Sequence, residues 1–371
     1  LLDLKSARLA AGGTVVDMSI GAPNLAPAEH VMRALADAAM DPKNYIYAIQ
    51  DLNELHQAVA AWYQRRYGVT LDPAAQITSL LGSQEGLAHI ALTLADEGDV
   101  VLVPDPCYPV FADGPKLAGA ELHYMPMKPE KDFVIDLRDI PTEVAKRAKL
   151  MVVSYPNNPT TAMAPDAFYR DLIAFAREYG IGVLHDNAYS ELVYDGAQWG
   201  SFLRFEGAAD VGVEFNSLSK TYALAGARVG FCVGNAEMVG QLAKLKSNMD
   251  YGMFLPVQRA AIAAITGDQS CVETTRRAYE ARRNYLCDGL TALGWNVPRC
   301  SSTMFVWAKI PEGFGDSQHF CEQLLQRTGL LVTPGSAFGP SGEGYVRLAL
   351  VRTEAEMKLA LDNIRESRLL G

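Results

Sequence analysis

Short apolar runs with the pattern of β-strands alternate with amphipathic helical patterns along most of this chain. Such alternation is typical of α/β folds, because two neighbouring parallel strands need a crossover connection between them. It therefore predicts a largely parallel sheet with helices packed against it. The predicted strands are at 76–81, 100–103, 150–154, 182–184, 211–215 and 229–233, and two of the predicted helices are at 52–66 and 85–94.

The last hundred residues follow a different pattern. A long, arginine-rich helical segment is followed by short strands and a C-terminal helix, which predicts a smaller α+β domain that the N-terminal segment joins in space. These elements are predicted at 271–293, 303–309, 345–350 and from Thr353 onwards. The predicted boundaries are 41–265 for a large domain, and 1–40 together with 266–371 for a discontinuous small domain.

The charge and composition exclude several classes of function. The formal net charge is −10, which disfavours nucleic acid as a partner because phosphate backbones need a basic surface. No apolar run reaches the roughly 18 residues that a membrane span requires, and the first residues lack the pattern of a signal peptide. The 6 cysteines are scattered without a CxxC pair, so neither a metal site nor a disulfide framework is predicted. We therefore expect a cytoplasmic enzyme with small-molecule substrates.

Polar or charged residues stand near the ends of three predicted strands, where the apolar pattern alone would not require them. They are Asn158, Asp186 and Lys220. Ligands of open α/β sheets bind outside the carboxyl ends of the strands. The sequence therefore predicts that these three side chains share one site.

Lys220 is the candidate nucleophile of this site. A lysine held in a tight, desolvated pocket has a reactive amine that can form an imine, although the same sequence is compatible with a solvated loop lysine. Arg228 lies eight residues after Lys220 and eleven after Ser217. An arginine fork and a serine hydroxyl together can hold a phosphate dianion, although Arg228 is equally compatible with a buried ion pair.

The turn at Ser83 and Gln84 precedes a predicted helix and is a second candidate phosphate contact, with a plain helix cap as the alternative.

Asp186 would be costly to bury without a cation. A protonated pyridine nitrogen is such a cation, and keeping it protonated makes the ring an electron sink. The alternative for Asp186 is a helix N-cap. Tyr108 has the flat ring that can stack on a planar ligand, or it belongs to the core.

In this order and spacing, the motifs resemble those of the fold-type I enzymes that depend on pyridoxal 5′-phosphate (PLP), and among them the class I/II aminotransferases. The likeness extends over positions 21 to 348. The stretches that carry it are Gly21–Ala22–Pro23, Gly82–Ser83–Gln84–Glu85, Asp105–Pro106–Cys107–Tyr108–Pro109, Tyr155–Pro156–Asn157–Asn158–Pro159–Thr160, Asp186–Asn187–Ala188–Tyr189, Ser217–Leu218–Ser219–Lys220 with Arg228, and Val346–Arg347–Leu348.

The resemblance implies the PLP-dependent transferase fold, with a mainly parallel seven-stranded sheet in the large domain. It implies that Lys220 forms the Schiff base with PLP and later moves the proton between the substrate Cα and the cofactor C4′. It also implies cofactor contacts by many of the residues named above. These are Asp186 at the pyridinium, Tyr189 and Asn158 at the phenolic oxygen, Tyr108 stacked on the ring, and Ser83, Gln84, Ser217 and Arg228 at the phosphate.

The resemblance also implies how the substrate is bound. Arg347 would take the α-carboxylate as a bidentate partner, with help from Asn158 and from the backbone at Gly21 or Ala22. A homodimer with shared active sites is implied as well. In such a dimer, Tyr47 would reach the phosphate of the neighbouring subunit's cofactor, and Tyr45 is the alternative.

The implied reaction moves an amino group between an L-amino acid and a 2-oxo acid by a ping-pong mechanism. Within the family, three stretches resemble LL-diaminopimelate aminotransferase-like proteins: Pro104–Asp105–Pro106, Ser217–Leu218–Ser219–Lys220–Thr221–Tyr222, and Lys246–Ser247–Asn248–Met249–Asp250–Tyr251–Gly252. A PLP-dependent C–S β-lyase of the same fold is the alternative, because both reactions need the same carbanion. A non-catalytic sensor of PLP and an amino acid is a third reading.

Overall fold

The computed structural model describes residues 1–198 and 200–370. Its strands are β1 (Val16–Asp17), β2 (Ile77–Leu80), β3 (Val100–Asp105), β4 (Glu121–Pro126), β5 (Ala148–Ser154), β6 (Gly182–Asp186), β7 (Gly212–Ser217), β8 (Gly230–Gly234), β9 (Phe305–Lys309), β10 (Leu330–Leu331), β11 (Thr333–Pro334) and β12 (Tyr345–Ala349).

The helices lie between these strands and at both ends of the chain. They are α1 (Leu2–Ala10), α2 (Glu29–Met40), α3 (Asn53–Tyr67), α4 (Ser83–His89), α5 (Ala91–Leu94), α6 (Val110–Leu117), α7 (Thr142–Ala145), α8 (Asp166–Tyr179), α9 (Ala208–Val211), α10 (Leu218–Thr221), α11 (Ala236–Met249), α12 (Leu255–Thr266), α13 (Ser270–Ala292), α14 (Ser317–Thr328) and α15 (Glu354–Ser367). None of the helices in the described ranges is long and apolar enough to cross a membrane.

A seven-stranded sheet forms the centre of the fold, with the strand order β2-β8-β7-β6-β5-β3-β4. β8 runs antiparallel to both of its neighbours, and the other pairs are parallel. The predicted α/β class, with a mainly parallel seven-stranded sheet, is therefore confirmed. The register places Ser154 beside Asp186 and Asp186 beside Phe215. The carboxyl ends of β5, β6 and β7 thus lie at one edge.

Both faces of this sheet are covered, as expected for parallel strands. Along β5, Met151 and Val153 belong to one hydrophobic cluster, and Leu150 and Val152 belong to another. Successive side chains of a strand point to opposite faces, so the two clusters are the cores on the two sides of the sheet. This double burial explains why the central strands read as continuous apolar runs.

One strand and one helix of the large domain differ from the sequence prediction. β4 was not predicted, because it is an edge strand in which only Met125 of the six residues is buried. Its sequence therefore carries neither an apolar run nor a clear alternation. The helix predicted at 85–94 begins at Ser83 and is divided at Ile90 into α4 and α5.

A second centre of packing lies outside the large sheet. β11, β12 and β9 form an antiparallel sheet, and β1 pairs with β10 in parallel. A third hydrophobic cluster combines residues from β1, α13, α14 and α15 with these strands. The N-terminal segment thus packs with the C-terminal part, but the predicted domain boundaries stay a prediction.

Candidate active site

A cavity of ≈ 570 Å³ opens at the carboxyl ends of the central strands, between the large sheet and the antiparallel sheet. Ligand sites of α/β sheets are expected at this edge. Most of the residues predicted from the sequence line this one cavity, namely Gly21, Ser83, Gln84, Tyr108, Asn158, Asp186, Tyr189, Ser217, Lys220, Arg228 and Arg347. Ala22 and Tyr47 are not among the residues that line it.

Lys220 reaches the cavity from α10, the short helix that follows β7 directly. The side chain of Ser217 caps this helix by accepting a hydrogen bond from the backbone N–H of Ser219 at 3.2 Å. The Nζ of Lys220 donates to the carbonyl oxygen of Gly21 at 2.8 Å. Burial, followed by the positive charges of Arg347 and Arg228, lowers the pKa of the Lys220 amine to about 8.

The lowered pKa predicts the pH at which the Lys220 amine becomes reactive. Only the neutral amine is a nucleophile, so labelling of the cofactor-free protein with acetic anhydride at Lys220 should rise with pH. Half-maximal labelling is expected near pH 8, because the pKa of Lys220 is about 8. The labelled peptide can be quantified by mass spectrometry. The pKa of an ordinary lysine side chain is about 10.4. Half-maximal labelling near that pH would contradict the prediction.

Asp186 is the last residue of β6 and is buried, with 5% of its surface exposed. Burial is the first cause that raises the pKa of its carboxyl group to about 7. The Oδ1 atom has no hydrogen-bond partner among the described residues. A buried acceptor without a partner is costly, so this oxygen suits a cationic donor that enters the cavity.

Arg228 lies against the turn that precedes α4. Gly82 has a φ of 80°, and a Cβ at this position would overlap the guanidinium of Arg228. A Cβ at Gly230 would lie 2.6 Å from the backbone nitrogen of Ser83. Two glycines therefore allow the turn, the arginine and β8 to approach closely. Arg228 stays exposed and donates through Nη1 to the carbonyl oxygen of Ala225 at 3.0 Å, so the rest of its fork remains available for an anion.

Arg347 is a buried guanidinium on β12, on the opposite side of the cavity. Its Nη1 donates to Oδ1 of Asn158 at 2.8 Å, and its Nη2 donates to the carbonyl oxygen of Ser19 at 2.8 Å. The Cζ atom lies 4.2 Å from the ring centroid of Phe305 and 4.6 Å from that of Phe338. Burial lowers the pKa of Arg347 to about 10. The group is thus held in place by two acceptors and two aromatic rings, none of them anionic.

The sequence analysis did not find three of these contacts. Ser19, Phe305 and Phe338 all line the cavity, and each meets Arg347 through the fold rather than through nearby sequence. Ser19 stands two residues before the Gly21 motif, which is the only local signal for it. Phe305 and Phe338 read as ordinary core aromatics.

Two tyrosines complete the wall beside Asp186. Tyr108 donates from its hydroxyl to Oε1 of Gln84 at 2.8 Å and is half-buried. Tyr189 is buried, and its ring lies edge-on to Phe305 with a centroid distance of 5.7 Å. Burial raises the pKa of both hydroxyl groups, so both stay protonated and able to donate hydrogen bonds well above neutral pH.

A family model described as aminotransferase class I and II matches residues 13–364. The chain belongs to this family. The aminotransferase predicted from the sequence is therefore confirmed, and so is its dependence on PLP. The enzyme moves amino groups between amino acids and 2-oxo acids.

Curated relatives of this aminotransferase share much of its sequence. It is 45% identical over 361 residues to the LL-diaminopimelate aminotransferase of Moorella thermoacetica, with 97% of this chain and 92% of the relative covered. It is 44% identical over 366 residues to the enzyme of the same description from Syntrophobacter fumaroxidans, with 98% and 94% covered.

Solved structures of similar proteins superpose on the aminotransferase closely. Substrate-bound BacF from Bacillus subtilis has a TM-score of 0.95 at 34% identity, with 100% of this chain and 95% of that chain covered. A probable N-succinyldiaminopimelate aminotransferase from Thermus thermophilus has a TM-score of 0.93 at 35% identity, with 98% of both chains covered.

The cavity of the aminotransferase fits PLP by the chemistry of its own residues. The unpartnered Oδ1 of Asp186 suits a protonated ring nitrogen. The Lys220 amine suits an aldehyde because burial favours its neutral form. The exposed fork of Arg228 beside Ser217 suits a phosphate. These groups face one cavity, so one ligand can meet all of them.

Proposed function

We propose that this aminotransferase binds PLP through Lys220, Asp186 and the anion-binding groups around Arg228, and binds the substrate α-carboxylate through Arg347. The observation that supports the proposal most is that one cavity brings together a desolvated amine, an unpartnered carboxylate oxygen and two arginine forks. The remaining contacts follow from the same cavity. Ser83, Gln84 and Ser217 bind phosphate, Tyr189 and Asn158 bind the phenolic oxygen, and Tyr108 stacks on the ring.

When bound, PLP supplies an electron sink for the carbanion that forms at the substrate Cα. Lys220 would hold the cofactor through its amine, and the same amine would accept a proton at the substrate Cα and return it at C4′. A general acid–base group works best when its pKa lies near the working pH. The pKa of about 8 at Lys220 therefore allows the amine both to accept and to return a proton.

Arg347 orients the substrate in this scheme. The guanidinium is fixed by Asn158 and Ser19, and its buried Nε has no partner among the described residues. A carboxylate that enters the cavity supplies the missing acceptors and the opposite charge. Gly21, which lines the cavity, adds a backbone contact to the same carboxylate. Ala22 is the weaker candidate, because its N–H donates to the carbonyl oxygen of Ile20. The amine of the substrate is then placed on the Lys220 side of the cavity.

LL-Diaminopimelate is the first donor to test. Relatives named LL-diaminopimelate aminotransferase are 38% to 45% identical over nearly the whole chain, whereas BacF and the N-succinyldiaminopimelate aminotransferase are 34% and 35% identical. The holoenzyme should be mixed with single amino acids, with 2-oxo acid product and the aldehyde-form absorbance of the cofactor recorded together. One 2-oxo acid released per site, with loss of that absorbance, identifies a transaminase donor. Continued product release with the absorbance retained would instead indicate the β-lyase.

The homodimer with shared active sites is part of the proposal. Apolar side chains are exposed along one segment, with Met40 at 83%, Ile46 at 67%, Tyr47 at 78% and Ile49 at 63%. Such a patch on a folded protein marks an interaction surface. The hydroxyl of Tyr45 already donates to the carbonyl oxygen of Ala39 at 2.9 Å, which favours Tyr47 as the residue that crosses to the neighbouring subunit. The cytoplasmic location stays a prediction.

Asp186→Asn tests the proposed partner of the ring nitrogen. Removing one partner of a buried ion pair costs about 3–5 kcal/mol. We therefore expect kcat to fall by about 10²–10⁴-fold and the affinity of the cofactor-free protein for PLP to fall as well. Asp171→Asn, the same change at an exposed residue of α8, is the control. If Asp186→Asn retains both kcat and PLP affinity, Asp186 is not the partner of the ring nitrogen.

A further inference from the structure

Lys246 is a buried cation outside the cavity. It lies in the last turn of α11, and only 4% of its surface is exposed. Lysine is seldom buried unless its ammonium is paired. Neither the proposed chemistry nor substrate binding uses this residue, so its burial calls for another reason.

The ammonium of Lys246 joins two acidic side chains. Its Nζ donates to Oε2 of Glu85 at 2.7 Å and lies 3.1 Å from Oδ2 of Asp250. The side chain of Glu85 is 11% exposed and that of Asp250 is 19% exposed. Lys246 is therefore the cation that Glu85 and Asp250 share, and all three side chains are largely withdrawn from solvent.

Glu85 connects this network to the turn that faces Arg228. Its Oε2 accepts a hydrogen bond from the backbone N–H of Leu81 at 3.2 Å, and its backbone N–H donates to the carbonyl oxygen of Gly82 at 3.1 Å. The carboxylate thus closes the segment 81–85 into a compact turn. Ser83 and Gln84 at its centre line the cavity.

Asp250 connects the same ammonium to the segment that contains Tyr47 and Ala48. The backbone N–H groups of Asp250 and Tyr251 both donate to the carbonyl oxygen of Lys246. The ring of Tyr251 lies 5.4 Å from that of Tyr47. A Cβ at Gly252 would overlap the carbonyl oxygen of Ala48, so these two segments pack backbone against backbone.

We propose that Lys246 is a positioning residue for phosphate binding, which holds the 81–85 turn in place and neutralises the Glu85 carboxylate behind it. Without the ammonium, the Glu85 carboxylate would keep the backbone N–H of Leu81 and Nδ1 of His89 as partners but lose its buried lysine. Its negative charge would then lie, less compensated, next to the turn that is proposed to bind a dianion. Repulsion and loss of the fixed turn would both act against the phosphate. The inference rests on the proposed phosphate role of Ser83, Gln84 and Arg228.

Lys246→Met tests this role, because it keeps the length of the side chain and removes the charge. We expect the dissociation constant of PLP from the full-length protein to rise by about 10- to 100-fold. The dissociation constant of pyridoxal, which lacks the phosphate, should stay within about twofold, since the proposed effect acts only on the phosphate. Lys246→Arg should recover most of the PLP affinity. Lys244→Met, the same change at an exposed residue of the same helix, is the matched control.

Several outcomes would overturn the proposal. PLP affinity in Lys246→Met equal to that in Lys244→Met would do so, and so would an equal loss for PLP and pyridoxal, which indicates a general packing defect. If Lys246→Met does not fold, Lys246→Gln, which also removes the charge, replaces it and should weaken PLP but not pyridoxal, with unchanged PLP affinity as the contrary result. Arg228→Gln distinguishes a failure of the proposed role of Lys246 from a failure of the proposed phosphate site. If it weakens PLP while Lys246→Met does not, only the role of Lys246 fails; if neither weakens PLP, the proposed phosphate site fails.

Discussion

Replacing Lys220 by alanine is expected to lower turnover by about 10⁴-fold or more, the upper end of what an acid–base group contributes, while the chain still folds. The residue is proposed both to hold PLP and to carry the proton between two carbon atoms, and no other lysine lines the cavity within the described residues. Among the residues that the structure describes, the variant loses one side-chain hydrogen bond, from Nζ to the carbonyl oxygen of Gly21 at 2.8 Å.

The same substitution should raise the stability of the cofactor-free protein at neutral pH. The pKa of Lys220 is about 8 in the folded chain and about 10.4 in an unfolded one, so folding disfavours the charged form. The cost, up to about 3 kcal/mol, is present in full below pH 8 and disappears as the pH rises towards 10.4, where the unfolded chain also loses its proton. Alanine removes this cost, so its advantage over the wild type should shrink between those pH values.

Activity, thermal unfolding of the cofactor-free protein and borohydride labelling together test Lys220→Ala. Lys244→Ala changes an exposed lysine of α11 and should leave all three as in the wild type. Substantial residual transamination in Lys220→Ala would remove the proposed proton carrier. A labelled adduct at another lysine would place the covalent link elsewhere.

The sequence predicted the centre of the site because strand ends are local signals. Asn158, Asp186 and Lys220 each follow an apolar strand, and parallel strands bring their carboxyl ends to one edge of the sheet. The described cavity contains all three. The resemblance to the family then implied the remaining contacts, and these stay a prediction.

Contacts made only by the tertiary fold could not be predicted in the same way. Phe305 and Phe338 enclose Arg347 from β9 and from the short 3-10 helix Gly335–Phe338 that follows β11, and nothing in their own sequence distinguishes them from core residues. Lys246 was singled out only as part of a stretch that resembles relatives of the family, and nothing near it in the sequence indicates that its partner is Glu85, 161 residues away. The edge strand β4 was missed because half-exposed strands carry a weak pattern.

Arg347→Ala is expected to raise the KM for the amino donor and to lower kcat/KM by about 10²–10⁴-fold. Two hydrogen bonds to a charged group contribute about 1.5–3 kcal/mol each, and the variant loses both on the substrate side. It also leaves Oδ1 of Asn158 without its donor and opens a space between the rings of Phe305 and Phe338. The thermal midpoint should therefore fall as well, and binding must be measured well below it.

The guanidinium ion separates substrate recognition from packing in this variant. Added guanidinium can enter the space that Arg347→Ala leaves and should restore part of kcat/KM, because the lost group is a cation with fixed donors. Arg347→Lys keeps the charge without the fork and should fall between the wild type and Arg347→Ala. Arg277→Ala, at an exposed arginine of α13, is the control and should leave kcat/KM unchanged. If KM in Arg347→Ala equals that of the wild type, the α-carboxylate binds to another residue, and the exposed fork of Arg228 becomes the next one to test.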